Sequence, residues 1–163
     1  MRNQDFVKEL GYLGFTTRLK RISDMLMHEG RRLYSELDID IEPNWFVIFK
    51  LLQTRGPMSV TEIADSILMS HPSIIAITNK MLASGYLLSE KDKTDSRKRV
   101  LELSDRAVRK LPSYTKIWKA GEEGVESALK GYDALEFLTR VEDVFSEKGF
   151  KERTLSQLKK KDE

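Results

Sequence analysis

Residues Ser59–Ser104 read SVTEIADSILMSHPSIIAITNKMLASGYLLSEKDKTDSRKRVLELS. Ser59 and Glu62 form an S-x-x-E capping box, which fixes a helix start at Val60. That helix runs to about Leu68 and turns Ile63, Ala64 and Ile67 inward. Ser70 reads as the N-cap of a second helix, with Pro72 in its first turn, where a missing N–H costs nothing. Ile74, Ile77 and Met81 share one side of it, and Gly85 stands where a helix ends. Two strand-like segments follow, Tyr86 to Ser89 and Val100 to Leu103, joined by the charged turn EKDKTDSRKR.

Two capped helices followed by a basic β-ribbon are the layout of a winged helix-turn-helix. The predicted fold is therefore mainly α with a small β-wing. Such a unit offers its second helix to the major groove of DNA and its ribbon to the neighbouring backbone.

Elsewhere the chain is helical. From Asn3 to about Glu36, Phe15, Leu19, Ile22, Leu26 and Leu33 repeat at helical steps, and Phe6, Leu10 and Leu13 form a second stripe. One long helix is expected there, bent or broken near Gly11 and Gly14. Its two stripes suit two partners, an intrachain core and a second subunit. Pro43 starts a helix carrying Trp45, Phe46, Ile48, Phe49 and Leu52, which stops at Gly56-Pro57. After Ser104 a long helix is expected through Leu111, Tyr114, Trp118, Val125 and Leu129, made less uniform by Pro112, Gly121 and Gly124. Gly131 precedes a last helix with Leu135, Leu138, Val141 and Phe145 on one face. The expected division is a dimerisation helix over 1–40, a DNA-binding domain over 41–104 and dimerisation helices over 105–163.

Composition bounds the function. Of 163 residues, 40% are apolar and 33% charged, as in a globular protein. The net charge of +2 does not decide for or against nucleic acid, so local clustering must. There is no cysteine, which excludes disulfides and thiolate metal sites, and His28 and His71 are not spaced for zinc. No metal and no cofactor are expected. No nucleophile–base pair or glycine-rich phosphate loop is present, so no catalytic residue is assigned and no enzyme is expected. Asp38 and Asp40 are paired carboxylates in a polar link and read as solvated. No run is apolar enough to span a membrane. The start, MRNQDFVKELGYLGF, carries charges where a signal peptide needs an apolar core, so a cytoplasmic location is expected.

The candidate contacts divide by chemistry. Lys91, Lys93, Arg97, Lys98 and Arg99 cluster in the ribbon and suit phosphates, as does Lys80 on the helix. Asp95, two residues before Arg97, can hold that guanidinium in one orientation for a narrow minor groove. Asn79 can pair bidentately with adenine, Ala76 can meet a thymine methyl, and His71 and Ser73 can donate to or accept from bases or phosphate. Ser70 and the first N–H groups of the helix suit a phosphate.

The stretch from about Trp45 to Leu111 resembles the MarR family of bacterial winged-helix regulators. Asp92-Lys93-Thr94-Asp95-Ser96-Arg97 fits that family's D-x-x-D-x-R wing, and Met81 to Leu87 resembles the exit of its recognition helix. The resemblance implies a homodimer with interlaced terminal helices, two recognition helices in successive major grooves of a pseudo-palindromic site, and a repressor's role. Arg97 would be the minor-groove arginine and Asp95 its orienting partner. Ile75 and Ala76 depart from the family, whose members often carry polar or basic residues there. Family members also often bind a small aromatic or lipophilic effector; Arg18, Met25, Tyr34, Trp45, Phe46 and Phe49 are the candidate lining. Some continue into an acetyltransferase domain, for which this sequence has no room. A separate acetyltransferase acting with the regulator is a further possibility, and a winged-helix protein-interaction module is the alternative from another class.

Overall fold

A computed structural model describes residues 5–91 and 99–160. Two compact units are distinguished, 1–113 and 114–163.

The first unit opens with α1 (Phe6–Glu9), a 3-10 turn (Gly11–Gly14) and α2 (Phe15–Glu36). The break falls at the two glycines, as expected. Gly14 is required by close approach, because a Cβ there would lie 2.4 Å from the Val7 carbonyl oxygen. Arg21 donates to the Asp5 carboxylate at 3.0 Å and holds that carboxyl below its ordinary range, tying the chain's start to α2.

A 3-10 turn at Pro43–Trp45 leads into α3 (Phe46–Arg55), followed by α4 (Val60–Ile67) and α5 (His71–Ala83). The Ser59 capping box is fully formed: the Glu62 N–H donates to Ser59 Oγ at 3.2 Å, and the Ser59 N–H donates to Glu62 Oε2 at 2.7 Å. Ile63, Ala64, Ile74 and Met81 close the core between α4 and α5 against Ile48, Phe49 and Leu52 of α3. Ile67 is half-buried rather than fully inside.

β1 (Leu87–Lys91) pairs antiparallel with β2 (Arg99–Leu103), in register from Leu87 opposite Leu103 to Lys91 opposite Arg99. Met58 adds a third rung, exchanging two backbone bonds of 2.8–3.0 Å with Leu101. The segment before α4 thereby anchors the ribbon to the helical core.

α6 (Asp105–Ala128) accommodates Pro112 without ending. The carbonyl that loses its partner, on Val108, belongs to an exposed residue and can be hydrated. The last helical stretch is two helices, α7 (Ala134–Glu147) and α8 (Phe150–Lys159), where the sequence suggested one. Arg153 explains the break. Its guanidinium donates to the Lys148 and Val144 carbonyls at 2.7 and 2.6 Å, adding to the Lys148 N–H bond of 3.3 Å that the Val144 oxygen already accepts. Among the described residues no helix is long and apolar enough to cross a membrane.

The turn between α4 and α5 places Leu68 in the left-handed region, φ +52°, with the side chain 92% exposed. A leucine there has no burial to offset the clash of its Cβ. Leu68→Gly should therefore stabilise the fold by about 0.5–1 kcal/mol, despite deleting a large apolar side chain. A urea midpoint that moves down instead would show that Leu68 makes a stabilising contact.

Candidate nucleic-acid interface

The second helix of the pair, α5, is fixed at both ends by local chemistry. Ser70 adopts extended backbone, and its Oγ accepts from the Ser73 N–H at 3.4 Å while lying 2.8 Å from Ser73 Oγ. Pro72 occupies the first turn. At the other end Gly85 has φ +71°, and the Gly85 and Tyr86 N–H groups return to the Leu82 and Met81 carbonyls at 2.9 Å. This is the Schellman arrangement, and it needs a residue that tolerates positive φ.

Between these ends the helix has two distinct sides. Ile74, Ile77, Thr78 and Met81 are buried. The Thr78 hydroxyl donates to the Ile74 carbonyl at 2.8 Å, so the polar group on the inner side is satisfied locally. His71, Pro72, Ile75, Ala76, Asn79, Lys80 and Ala83 are exposed, and Ser73 lies half-buried between the two sides. The structure thus brings Ala76, Asn79 and Lys80 to one outer side with His71 at its start. Ile75 joins them, although the sequence reading had not counted it among the contacts.

The ribbon stands directly behind this helix. Arg99 donates from Nε to Ser89 Oγ at 2.9 Å and from Nη2 to the Ser89 carbonyl at 2.8 Å. Its guanidinium is thereby held along the ribbon, beside Lys91 on the opposite strand. Lys93, Asp95 and Arg97 fall in 92–98, outside the described residues.

The exit of α5 is held by contacts that sequence spacing did not reveal. Tyr86 is fully buried, with the rings of Trp45 and Phe49 edge-on at 5.9 and 5.6 Å. Its hydroxyl donates to Asp40 Oδ1 at 2.5 Å. Arg106, in the first turn of α6, binds the other oxygen of Asp40, donates to the Ser84 carbonyl at 2.9 Å and lies 4.5 Å over the Tyr86 ring. The Tyr86 oxygen first, and Asp40 with it, hold the Arg106 guanidinium charged above its ordinary range. Asp40 is therefore not merely solvated. It joins the link after α2, the end of α5 and the start of α6.

The six residues expected to line an effector site differ in burial. Tyr34, Trp45 and Phe49 are buried, whereas Arg18, Met25 and Phe46 are exposed. Trp45 and Phe49 belong to the core around Tyr86. An open pocket of about 360 Å³ lies along Arg31, Tyr34, Ser35 and Asp38 to Glu42; of the six, only Tyr34 lines it.

Residues 41–98, which hold α3, α4, α5 and the ribbon, match the model of the MarR family. This segment is similar to the MarR family. Over 95 residues the chain is 24% identical to YkoM of Bacillus subtilis (strain 168), described as an uncharacterized HTH-type transcriptional regulator, a match covering 58% of each chain. Among solved structures it is similar to the transcriptional repressor CouR bound to a 23-mer DNA duplex, with TM-score 0.63 and 20% identity over 90% of this chain and 98% of that one. The S. aureus MepR–DNA complex gives TM-score 0.65 at 14% identity, over 82% and 96%. At these identities the likeness is one of fold, and it extends beyond the matched segment.

The Tyr86–Asp40 bond gives a direct test of the winged lobe's closure. Tyr86→Phe keeps the packed ring and should cost about 1–2 kcal/mol. Asp40→Ala should cost a similar amount, and the double variant distinctly less than the sum. Strict additivity in chemical denaturation would mean that the two side chains do not act together.

Proposed function

We propose that the protein is a sequence-specific DNA-binding transcriptional regulator, a cytoplasmic homodimeric repressor on a pseudo-palindromic operator. The observation that carries this reading is the two-sided α5. Its inner side is wholly core, and its capped outer side presents Asn79, Ala76 and Lys80 with no carboxylate. Helix 71–83 contains neither Asp nor Glu, so nothing on it repels phosphate.

In this reading Ser70, His71 and Ser73 meet the backbone or flanking bases at the helix start. Asn79 and Ala76 read base edges, and Lys80 takes a phosphate. Lys93 and Arg99 meet the neighbouring backbone, and Arg97, oriented by Asp95, enters the minor groove. The matched family and the DNA-bound structures of similar fold support the same role.

The homodimer is supported by uncovered apolar surface. No residue of α7 or α8 is buried, and Leu135, Phe137, Leu138 and Phe145 are exposed, as are Ile22, Met25 and Leu26 of α2. Single chains seldom leave this much apolar helix surface in water. The effector part of the reading rests on the family resemblance. The pocket beside Tyr34 has charged walls, Arg31, Asp38, Asp40 and Glu42 among them, and suits a polar molecule better than a lipophilic one.

Selection of bound sites from random duplexes, followed by a salt titration on the selected duplex, tests the proposal. Affinity should fall log-linearly with salt, and Lys80→Ala should reduce the slope by about one per contact removed, on all sequences alike. If no duplex is retained at low salt, the chain is instead a winged-helix protein-interaction module. Sedimentation of the full chain should show a dimer. Removing the segment after Gly131 should yield monomers or insoluble protein, and a soluble dimer after that truncation would refute the assigned interface.

A further inference from the structure

The outer side of α5 is more apolar than a solvated helix requires. Ile75 is 45% exposed, while the inward positions beside it are filled by Ile74 and Thr78. At 3.6 residues per turn, Ile75, Asn79, Pro72, Ala83 and Ala76 fall within an arc of about 100°, with His71 and Lys80 at its two edges. All seven are exposed. The arc therefore holds one branched aliphatic side chain, at its edge nearer His71, and one amide near its centre, among small groups, and the flanks carry the polar and basic residues.

That pattern restricts what the helix can read. Of the four bases, thymine alone presents an apolar group in the major groove, its 5-methyl. A β-branched side chain in a helix is already confined to essentially one rotamer, so Ile75 loses little freedom when it packs on that methyl. Asn79 lies one turn further along the same stripe, about 6 Å up the axis, close to two base-pair steps of about 3.4 Å. Its amide matches the N6 and N7 edge of adenine. Pro72, Ala76 and Ala83 add no donor or acceptor side chain that would favour guanine or cytosine.

We infer that Ile75 is a specificity-determining residue that packs on a thymine methyl, within a base pair or two of the adenine paired by Asn79, so that the centre of each operator half-site consists of A·T pairs. This rests on the DNA-binding reading and names the bases it selects. Ile75 contributes apolar contact where a polar side chain at its place would form a hydrogen bond. The protein discriminates at that step by methyl burial.

Deoxyuridine provides the test, because it removes the methyl and leaves every hydrogen-bonding edge of thymine in place. In the selected duplex, each half-site thymine is replaced in turn by deoxyuridine, and binding of the full-length wild-type protein and of Ile75→Ala is compared. A buried methyl is worth about fourfold in a binding constant, so one thymine per half-site should show a loss of about three- to fivefold with wild type. Ile75→Ala should bind the parent duplex more weakly by a similar factor and lose its sensitivity at that position alone. Uniform tight binding of all deoxyuridine duplexes by wild type would overturn the inference while leaving DNA binding intact. Unchanged methyl sensitivity in Ile75→Ala would do the same. Failure of the wild type to retain any duplex would remove both. The wild-type measurements need no altered protein, so misfolding of the variant cannot blur the result.

Discussion

Closure of the winged lobe depends on Tyr86. It is the residue at which the helical core, the ribbon and the long C-terminal helix converge. Its N–H completes the Schellman exit of α5, and its carbonyl accepts from the Ser104 N–H at 3.1 Å. The ring fills the space between Trp45 and Phe49, and edge-on aromatic pairs of this kind add about 0.5–1.5 kcal/mol each beyond burial. The hydroxyl reaches Asp40, and Arg106 covers the outer face. Beside it Ser104 Oγ donates to the Gly85 carbonyl at 2.8 Å and accepts from the Ala107 N–H at 3.2 Å. The last turn of α5, the root of β1, the end of β2 and the first turn of α6 are thus set by one cluster of side chains. The angle at which α5 leaves the core is an outcome of that cluster.

A helix held this firmly on its inner side and at both ends can leave its outer side without intramolecular work. In α5 the outer residues are short or rigid, and lysine stands only at the edge. A partner surface can approach closely and pays little in side-chain ordering. The same reasoning separates α5 from α2, whose exposed side alternates leucines and methionine with paired charges such as Lys20–Asp24 and Arg32–Glu29. Surface ion pairs contribute little stability, but they keep the uncovered apolar stripe of α2 between charged borders.

What was legible in the sequence was what is decided within a turn or two of chain. The Ser59 box, the Ser70 cap, the Gly85 exit and the break at Gly11 and Gly14 are all present where composition and spacing placed them. The division of α5 into inner Ile74, Ile77 and Met81 and outer Ala76, Asn79 and Lys80 also followed from periodicity. The Asp40 contacts did not, because its partners lie 46 and 66 residues away and no local pattern marks them. Leu68 escaped notice for the opposite reason. It is a residue type that disfavours the left-handed turn it occupies, so propensity pointed away from the observed geometry. The aromatic stripe of Trp45, Phe46 and Phe49 could equally have lined a cavity or a core. Only the positions of Tyr86 and Arg106 decide that Trp45 and Phe49 are core. Gly149 carried a signal for the end of α7, but the bonds from Arg153 to the Lys148 and Val144 carbonyls emerge only from three-dimensional proximity.

Net charge was the least informative quantity, and the reason is physical. Twenty-eight cations against twenty-six anions nearly cancel over the whole chain, yet phosphate senses charge over about a Debye length, near 8–10 Å. The thirteen residues of α5 contain one lysine and no acid, and Lys91 and Arg99 face each other across the ribbon. The ribbon strands also carry Glu90 and Glu102. The chain total therefore says little about the field met at the helix and ribbon, which local charges set. In the proposed DNA-binding role, weak overall attraction would limit binding to unrelated duplexes and leave discrimination to the short-range contacts of α5. There an exposed isoleucine is a selective group, because apolar contact in the major groove is available only where a thymine supplies it.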